Sequence, residues 1–324
     1  MSQILVSGGC GYIGSHIVKL LSEKGESVVV FDNLSQGSKD FLLYGEELVV
    51  GDICDKDALK KLFATHDIEA VIHMAALVNA AESVQKADEY KTVNDQGSRN
   101  VWEAAVAAGV KHLLYASSAA VYGTPDTRDP LPETAQLHPD SPYGATKLAG
   151  EASLHELADK TSNYIAFRFF NVGGAEEEGR LGQSKGSRAI MQRLFAVAAG
   201  DDDQITISGH DYDTPDGTVI RDFIHVEDIA FAFILGLNYL RQSKASVTLN
   251  LGSGESHTIG EVIKEVGIVT GKTIPLIYGP RMPGDISFSL SDISLAKKIL
   301  GWEPANTLRL TVRDGWNSYV KRNA

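Results

Sequence analysis

The chain has 324 residues, enough for two intimately packed domains, and 43% of them are apolar, which supplies a large core. A formal net charge of −12 and a pI near 5.2 argue against a nucleic-acid or anionic-membrane surface, while leaving room for an anionic small ligand held by a few placed arginines. No apolar run reaches bilayer length, no basic region precedes an apolar N-terminal core, and two cysteines, Cys10 and Cys54, give no disulfide framework, so a soluble cytoplasmic protein is expected.

Ile4, Leu5 and Val6 read as a buried strand, and a helical pattern from His16 to Lys24 closes at Gly25. Between them lie Ser7, Gly8, Gly9, Cys10, Gly11, Tyr12, Ile13 and Gly14. Gly9, Gly11 and Gly14 fit the dinucleotide-loop spacing, and Gly8, Gly11 and Gly14 fit its wider variant. In either register the backbone N–H groups approach a pyrophosphate and the following helix points its positive end at it. The next strand, Val28 to Phe31, ends in Asp32, eighteen residues past Gly14. That carboxylate can accept both adenosine ribose hydroxyls and would repel a 2′-phosphate, and neither Asn33 nor Leu34 is an arginine. NAD is therefore expected over NADP.

Farther on, Leu48–Asp52 and Ala70–Met74 read as strands flanking a helix at Lys56–Thr65, and helical spacing over 93–108 stops at Gly109. His112–Ser117 is the next strand, a proline-rich excursion runs from Thr124 to Pro142, a helix covers Pro142–Asp159, and Tyr164–Phe169 is another strand. Repeated βα units predict a doubly wound parallel α/β sheet with ligands at the carboxyl ends of its strands. The domain change is placed near residue 172: 1–172 for the cofactor and 173–324 for a smaller α/β substrate domain, with 222–250 expected back in the large sheet. Thr258 and Glu261 have capping-box spacing, and helices are expected near 293–300 and 308–322.

Tyr143 and Lys147 stand one helical turn apart on one face, and Ser118 follows the strand that should meet that helix at the cofactor. An unperturbed phenol has a pKa near 10; a neighbouring ammonium and a positive nicotinamide ring would favour the phenolate and make Tyr143 a usable base. His73 and His225 read as structural histidines, the nine histidines show no metal-ligand spacing, and no metal is expected. Trp302 and Trp316 are assigned to small-domain packing. Cys10 reads as a small loop filler close enough to the cofactor to make the protein thiol-sensitive.

From about residue 3 to 317 the chain resembles the extended short-chain dehydrogenase/reductases, and within them the UDP-glucose (UDP-galactose) 4-epimerases. The resemblance rests on GGCGYIGSH at 8–16, FDNLS at 31–35, GDICD at 51–55, VIHMAA at 71–76, SSAAVYG at 117–123, SPYGATK at 141–147, FRFFNVGG at 167–174 and GTVIRDFIHVEDIA at 217–230. It implies that Asp52 and Ile53 contact the adenine, Asn94 and Lys147 the nicotinamide half of NAD, Asn171 the sugar nucleotide and Arg221 its phosphates. It also implies that Tyr143, helped by Ser118, takes the C4 hydroxyl proton while hydride moves to NAD, and that the 4-keto sugar turns about its pyrophosphate and is reduced on its other face. A homodimer through 93–108 and 143–158 follows from the same resemblance. Related enzymes that eliminate water or decarboxylate place acids where this chain has Ala119 and Ala120, so epimerisation is favoured.

Departures from the family pattern fall around the ligands. Val78 stands where a lysine is frequent, so looser cofactor retention is expected. Ala189 and Ile190 replace an Asn-Leu pair in the nucleotide-binding loop, with Arg188 adjacent as a substitute charge, and Met282 replaces an arginine after Arg281. Four residues past Asp285, where a tyrosine would crowd the sugar's C2 substituent, stands Ser289, which predicts acceptance of N-acetylated hexoses. An epimerase for acetylated hexoses or pentoses, and a non-catalytic NAD sensor, are the alternatives.

Overall fold

The computed structural model describes residues 2–158, 162–184, 186–281 and 286–323. The first half alternates β1 (Gln3–Ser7), α1 (Tyr12–Glu23), β2 (Val28–Asp32), β3 (Glu47–Val50), α2 (Lys56–Thr65) and β4 (Ile68–His73). Two short helices, α3 (Ala80–Ser83) and α4 (Ala87–Tyr90), lead through a π-helical stretch at Lys91–Gly97 into α5 (Ser98–Ala107). The single helix expected over 93–108 is thus a wide turn followed by a regular one. Then come β5 (His112–Ser118), α6 (Pro142–Ala158), β6 (Asn163–Phe169), β7 (Asn171–Gly173), α7 (Ile190–Ala199), β8 (Ile205–Ser208), β9 (Ile220–His225), α8 (Val226–Arg241) and β10 (Val247–Leu251). The chain closes with β11 (Ser256–Thr258), α9 (Ile259–Thr270), β12 (Leu276–Gly279), β13 (Phe288–Ser289), α10 (Ser294–Leu300) and α11 (Leu308–Asn323). The capping box at Thr258 and Glu261 is formed, both reciprocal bonds present. Asp159, Met282 and Asp285 lie outside the described residues.

Seven strands form one parallel sheet in the order β10-β6-β5-β4-β1-β2-β3. Its inner strands are runs of Val, Ile, Leu and Phe buried on both faces, as a sheet covered by helices on each side requires. One face packs against α1, α8 and α10, the other against α2, α5 and α6. Strand order reverses between β1 and β4, which opens a crevice at their carboxyl ends. The small domain is built on β7, β9, β11 and β13, with a separate β8–β12 pair and helices α7, α9 and α11.

Two expectations need correction. Within 222–250, α8 and β10 do return to the large sheet, but Asp222–His225 belong to β9, which pairs with β7, β11 and β13 in the small one. Local sequence does not record which strands it pairs with; only the long-range register does. Trp302 packs in the large-sheet core and donates its indole N–H to the Asp228 carbonyl at 3.0 Å, so only Trp316, stacked on Tyr319, is a small-domain residue.

Candidate active site

The glycine loop crosses the mouth of the crevice. Gly8 has φ 75°, and a Cβ there would lie 2.5 Å from the Ala75 backbone nitrogen; at Gly14 it would lie 2.2 Å from the Gly8 carbonyl oxygen. Side chains at either position would force the loop away from β4. α1 begins at Gly11, Tyr12 and Ile13 with no side-chain cap and no acid in its first turn, so its N-terminal dipole is left for an anion. Asp32 is 8% exposed and fixed by two backbone donors, Cys10 N–H at 3.0 Å and Leu34 N–H at 2.8 Å. Asn33 donates to Asp52 at 2.9 Å. Burial pushes the Asp52 carboxyl up, but hydrogen bonds from Cys54 and Asn33 outweigh it and hold the group below its ordinary value. Ile53 is buried and held through its carbonyl by Asn100. These features make a cradle with the shape and the carboxylate a dinucleotide needs.

Asn94 has no exposed surface. Its amide is spent on both backbone groups of Leu77, at 2.8 Å each, and on Thr146 at 3.3 Å. It therefore fixes the backbone just after β4. Burial, seconded by Asp32, pushes the buried Cys10 thiol up to about 12, away from the thiolate form. His73 is a buried structural residue between Ser7, at 2.6 Å, and Ser98, at 2.9 Å. His225 accepts from Glu227 N–H at 3.1 Å and faces Asp314 at 3.4 Å.

Ser118 ends β5, takes the Ala120 N–H at 3.2 Å and lies close enough to the Tyr143 phenol to offset part of the effect of its burial. Tyr143 lies in the first turn of α6, where its own N–H is received by Ser83 of α3 at 3.1 Å and its ring meets Tyr90 edge-on at 6.4 Å. One turn on, the Lys147 ammonium donates to the Ala116 carbonyl at 2.7 Å and lies 5.1 Å over the Tyr115 ring. Ser118, Tyr143 and Lys147 thus come together at the carboxyl end of β5. Burial raises the Tyr143 phenol, only partly offset by Ser118, and burial lowers Lys147 to about 7. A buried ammonium takes the nearest carbonyl, here that of Ala116.

Behind this group is an ion pair that sequence reasoning missed. Arg168 of β6 grips Glu151 of α6 with two bonds, 2.9 and 2.7 Å, and Ser117 donates to the same carboxylate. A charge inside the otherwise apolar strand Tyr164–Phe169, and an acid one turn past Lys147, were the available signals.

On the substrate side, β7 and β9 put Asn171 and Arg221 on neighbouring strands, with Asn171 exposed and paired in register with Phe223. Arg221 pairs with Ser289 of β13, which is 9% exposed. Arg188 is exposed in the loop before α7. Arg281 is committed to Asp211 at 2.8 Å and to the Tyr212 ring at 4.2 Å, an exposed ion pair of the kind that water screens strongly.

Residues 4–252 match the model of the NAD dependent epimerase/dehydratase family, and the chain belongs to that family. It is 39% identical over 317 residues to the UDP-glucose 4-epimerase of Halalkalibacterium halodurans, covering 97% of this chain and 94% of the relative. Among solved structures it is similar to the UDP-glucose 4-epimerase of Stenotrophomonas maltophila with bound NAD and formylated UDP-arabinopyranose, with TM-score 0.95, 36% identity and both chains covered in full. The UDP-Glc/GlcNAc 4-epimerase of Campylobacter jejuni gives TM-score 0.86 at 34% identity, covering 99% of this chain and 100% of that one.

Proposed function

We propose that the protein is a NAD-dependent UDP-hexose 4-epimerase. The observation that carries this is the convergence of Ser118, Tyr143 and Lys147 at the carboxyl end of β5, with Lys147 one turn past Tyr143, at the crevice between the glycine loop and the small domain. Gly8, Gly11, Tyr12, Ile13, Gly14, Asp32, Asn33, Asp52 and Ile53 would hold the cofactor, with Asn94 shaping its crevice and Tyr143 and Lys147 beside its reactive end. Bound NAD supplies the hydride acceptor and donor at the sugar C4. Tyr143 takes the C4 hydroxyl proton, Ser118 fixes the phenol's orientation, and Lys147 supplies positive charge beside the phenolate that forms. Asn171, Arg188, Arg221 and Arg281 are assigned to the nucleotide diphosphate, whose binding energy retains the molecule while the hexose turns. Ala119 and Ala120 follow Ser118 in a tight turn and supply no acid for elimination or decarboxylation.

Ser289 favours one refinement. It is small, and strand alternation sets Phe288 on the opposite side of β13, so that ring does not refill the space. UDP-N-acetylhexosamines are therefore substrates alongside the non-acetylated pair. The cofactor unit comprises 1–172 together with α8 and β10, and the remainder binds the sugar nucleotide. A homodimer through α5 and α6 agrees with the small, partly exposed Ala104, Ala145, Ala149 and Ala152 along that face. A cytoplasmic location agrees with two unpaired cysteines, and no helix among the described residues is long and apolar enough to cross a membrane.

Purified protein incubated separately with UDP-galactose and UDP-glucose, read by NMR of the anomeric signals, tests the reading. The same mixture of both sugars is expected from either side. Bound nucleotide without interconversion would leave only an NAD-sensing protein.

A further inference from the structure

Tyr143, Lys147 and Glu151 occupy successive turns on one face of α6, and each docks on the end of β5. Tyr143 meets Ser118, Lys147 meets the Ala116 carbonyl at 2.7 Å, and Glu151 receives the Ser117 hydroxyl. Glu151 is bound in turn by one edge of Arg168, through Nε and Nη2, while Nη1 reaches the Tyr122 hydroxyl at 3.1 Å and the Glu133 carbonyl at 3.1 Å. Tyr122 continues to Asn250 of β10 at 2.6 Å. This network is buried, with side-chain exposures of 5% for Arg168 and 10% for Glu151.

We propose that Glu151 is a positioning residue for the proposed proton transfer, fixing α6 in register against β5 and β6 and using its carboxylate, one turn behind Lys147, to keep that ammonium charged. The inference rests on the epimerase reading only for its consequence in turnover. A buried ion pair is weak evidence of stabilisation, since apolar residues of similar volume often serve as well, and a charge role accounts for its placement here. Other groups facing this region do not supply the same charge. His73 of β4 is neutral, pushed down to about 3 chiefly by burial. Tyr115 of β5 is held protonated by burial, and Tyr90 of α4 is raised to about 12 in the same way. Asp95 of the π-helical stretch acts on Tyr115, Glu82 of α3 is paired with Lys86 and Tyr90, and Glu133 faces Arg168. Glu151 is the carboxylate acting on Lys147, against the burial that otherwise drives off its proton.

The test is the pH titration of the Lys147 13Cε resonance in lysine-labelled protein, assigned by its loss in Lys147→Met, followed in wild type, Glu151→Asp and the double variant Glu151→Gln/Arg168→Met. The double variant avoids the unpaired guanidinium that Glu151→Gln alone would bury, which invites misfolding. In it the Lys147 midpoint should fall by about one pH unit, a tenfold weaker hold on the proton. The falling limb of kcat against pH, where the ammonium is lost, should move downward by the same amount with KM unchanged. Glu151→Asp, which keeps the charge, should restore most of the midpoint. An unmoved midpoint in a double variant whose spectra match wild type overturns the proposal, as does an equal fall in Glu151→Asp. Because the resonance needs no turnover, a shifted midpoint in a protein that fails to epimerise upholds this inference while removing the functional one.

Discussion

Gly150 is the residue of α6 that most closely controls how the helix sits on β5. A Cβ there would lie 2.2 Å from the Tyr115 hydroxyl oxygen and 2.7 Å from its ring carbon, about 1.2 Å short of the 3.4 Å at which ordinary contact begins. Tyr115 cannot yield: it is 1% exposed, stacked on His73 at 5.6 Å and met edge-on by Trp102 at 5.7 Å. In Gly150→Ala helix propensity contributes about 1 kcal/mol in favour, whereas overpacking against a fixed ring costs roughly 1–3 kcal/mol. The net expectation is a loss of up to about 2 kcal/mol and a Tm lower by up to a few degrees. The helix must move instead, by about 1 Å, and Lys147, one turn earlier, leaves the Ala116 carbonyl while Tyr143 leaves Ser118. A displacement of that size costs up to about 10²-fold in turnover. Calorimetry and steady-state kinetics should show a lower Tm and kcat reduced ten- to hundredfold, roughly, with KM little changed because Asn171 and Arg221 lie on the other sheet. A variant that melts higher than wild type with unchanged kcat would refute the packing argument.

Tyr143→Phe should keep the fold and cofactor content yet lose about 10²–10⁴-fold in kcat, and near-wild-type turnover would dismiss the base. Ser289→Tyr should suppress use of UDP-N-acetylglucosamine relative to UDP-glucose, compared as kcat/KM; wild type that ignores the acetylated sugar, or a tyrosine variant that still accepts it, rejects the pocket assignment. Burial lowers Lys147 from 10.5 to about 7, so between those values the unfolded chain holds more protons and stability rises with pH. The cost is complete below about pH 7 and gone above about pH 10.5. Lys147→Met should therefore stabilise cofactor-free protein at pH 6 and do so progressively less toward pH 10, read by denaturant midpoints; an equal gain at both contradicts the burial account.

Much of the frame was legible because parallel sheets leave a simple record. β2 falls on Val28–Asp32 and α2 on Lys56–Thr65 as expected, since an apolar run of one length and a helix opened by Asp55 leave few alternatives. Sheet membership was not legible: Ile220–His225 sets Arg221, Asp222 and His225 among Ile and Phe, and only long-range pairing assigns it to the small sheet. The wide turn at Lys91–Gly97 was equally hidden, because π-helical and α-helical stretches carry similar apolar spacing over so few residues. At the site, the i,i+4 rule found Tyr143 and Lys147 but stopped one turn short of Glu151. It also could not show that Lys147 faces a backbone carbonyl, an acceptor every residue offers.

The central claim is that C4 hydrogen leaves as hydride to a bound carrier and returns to the same molecule. UDP-galactose deuterated at C4, incubated with the purified protein in ordinary water, tests it most directly. The account predicts UDP-glucose that keeps its C4 deuterium, read by NMR and mass, with no added NAD consumed. Product carrying solvent hydrogen at C4 would contradict it, as would the absence of any UDP-glucose.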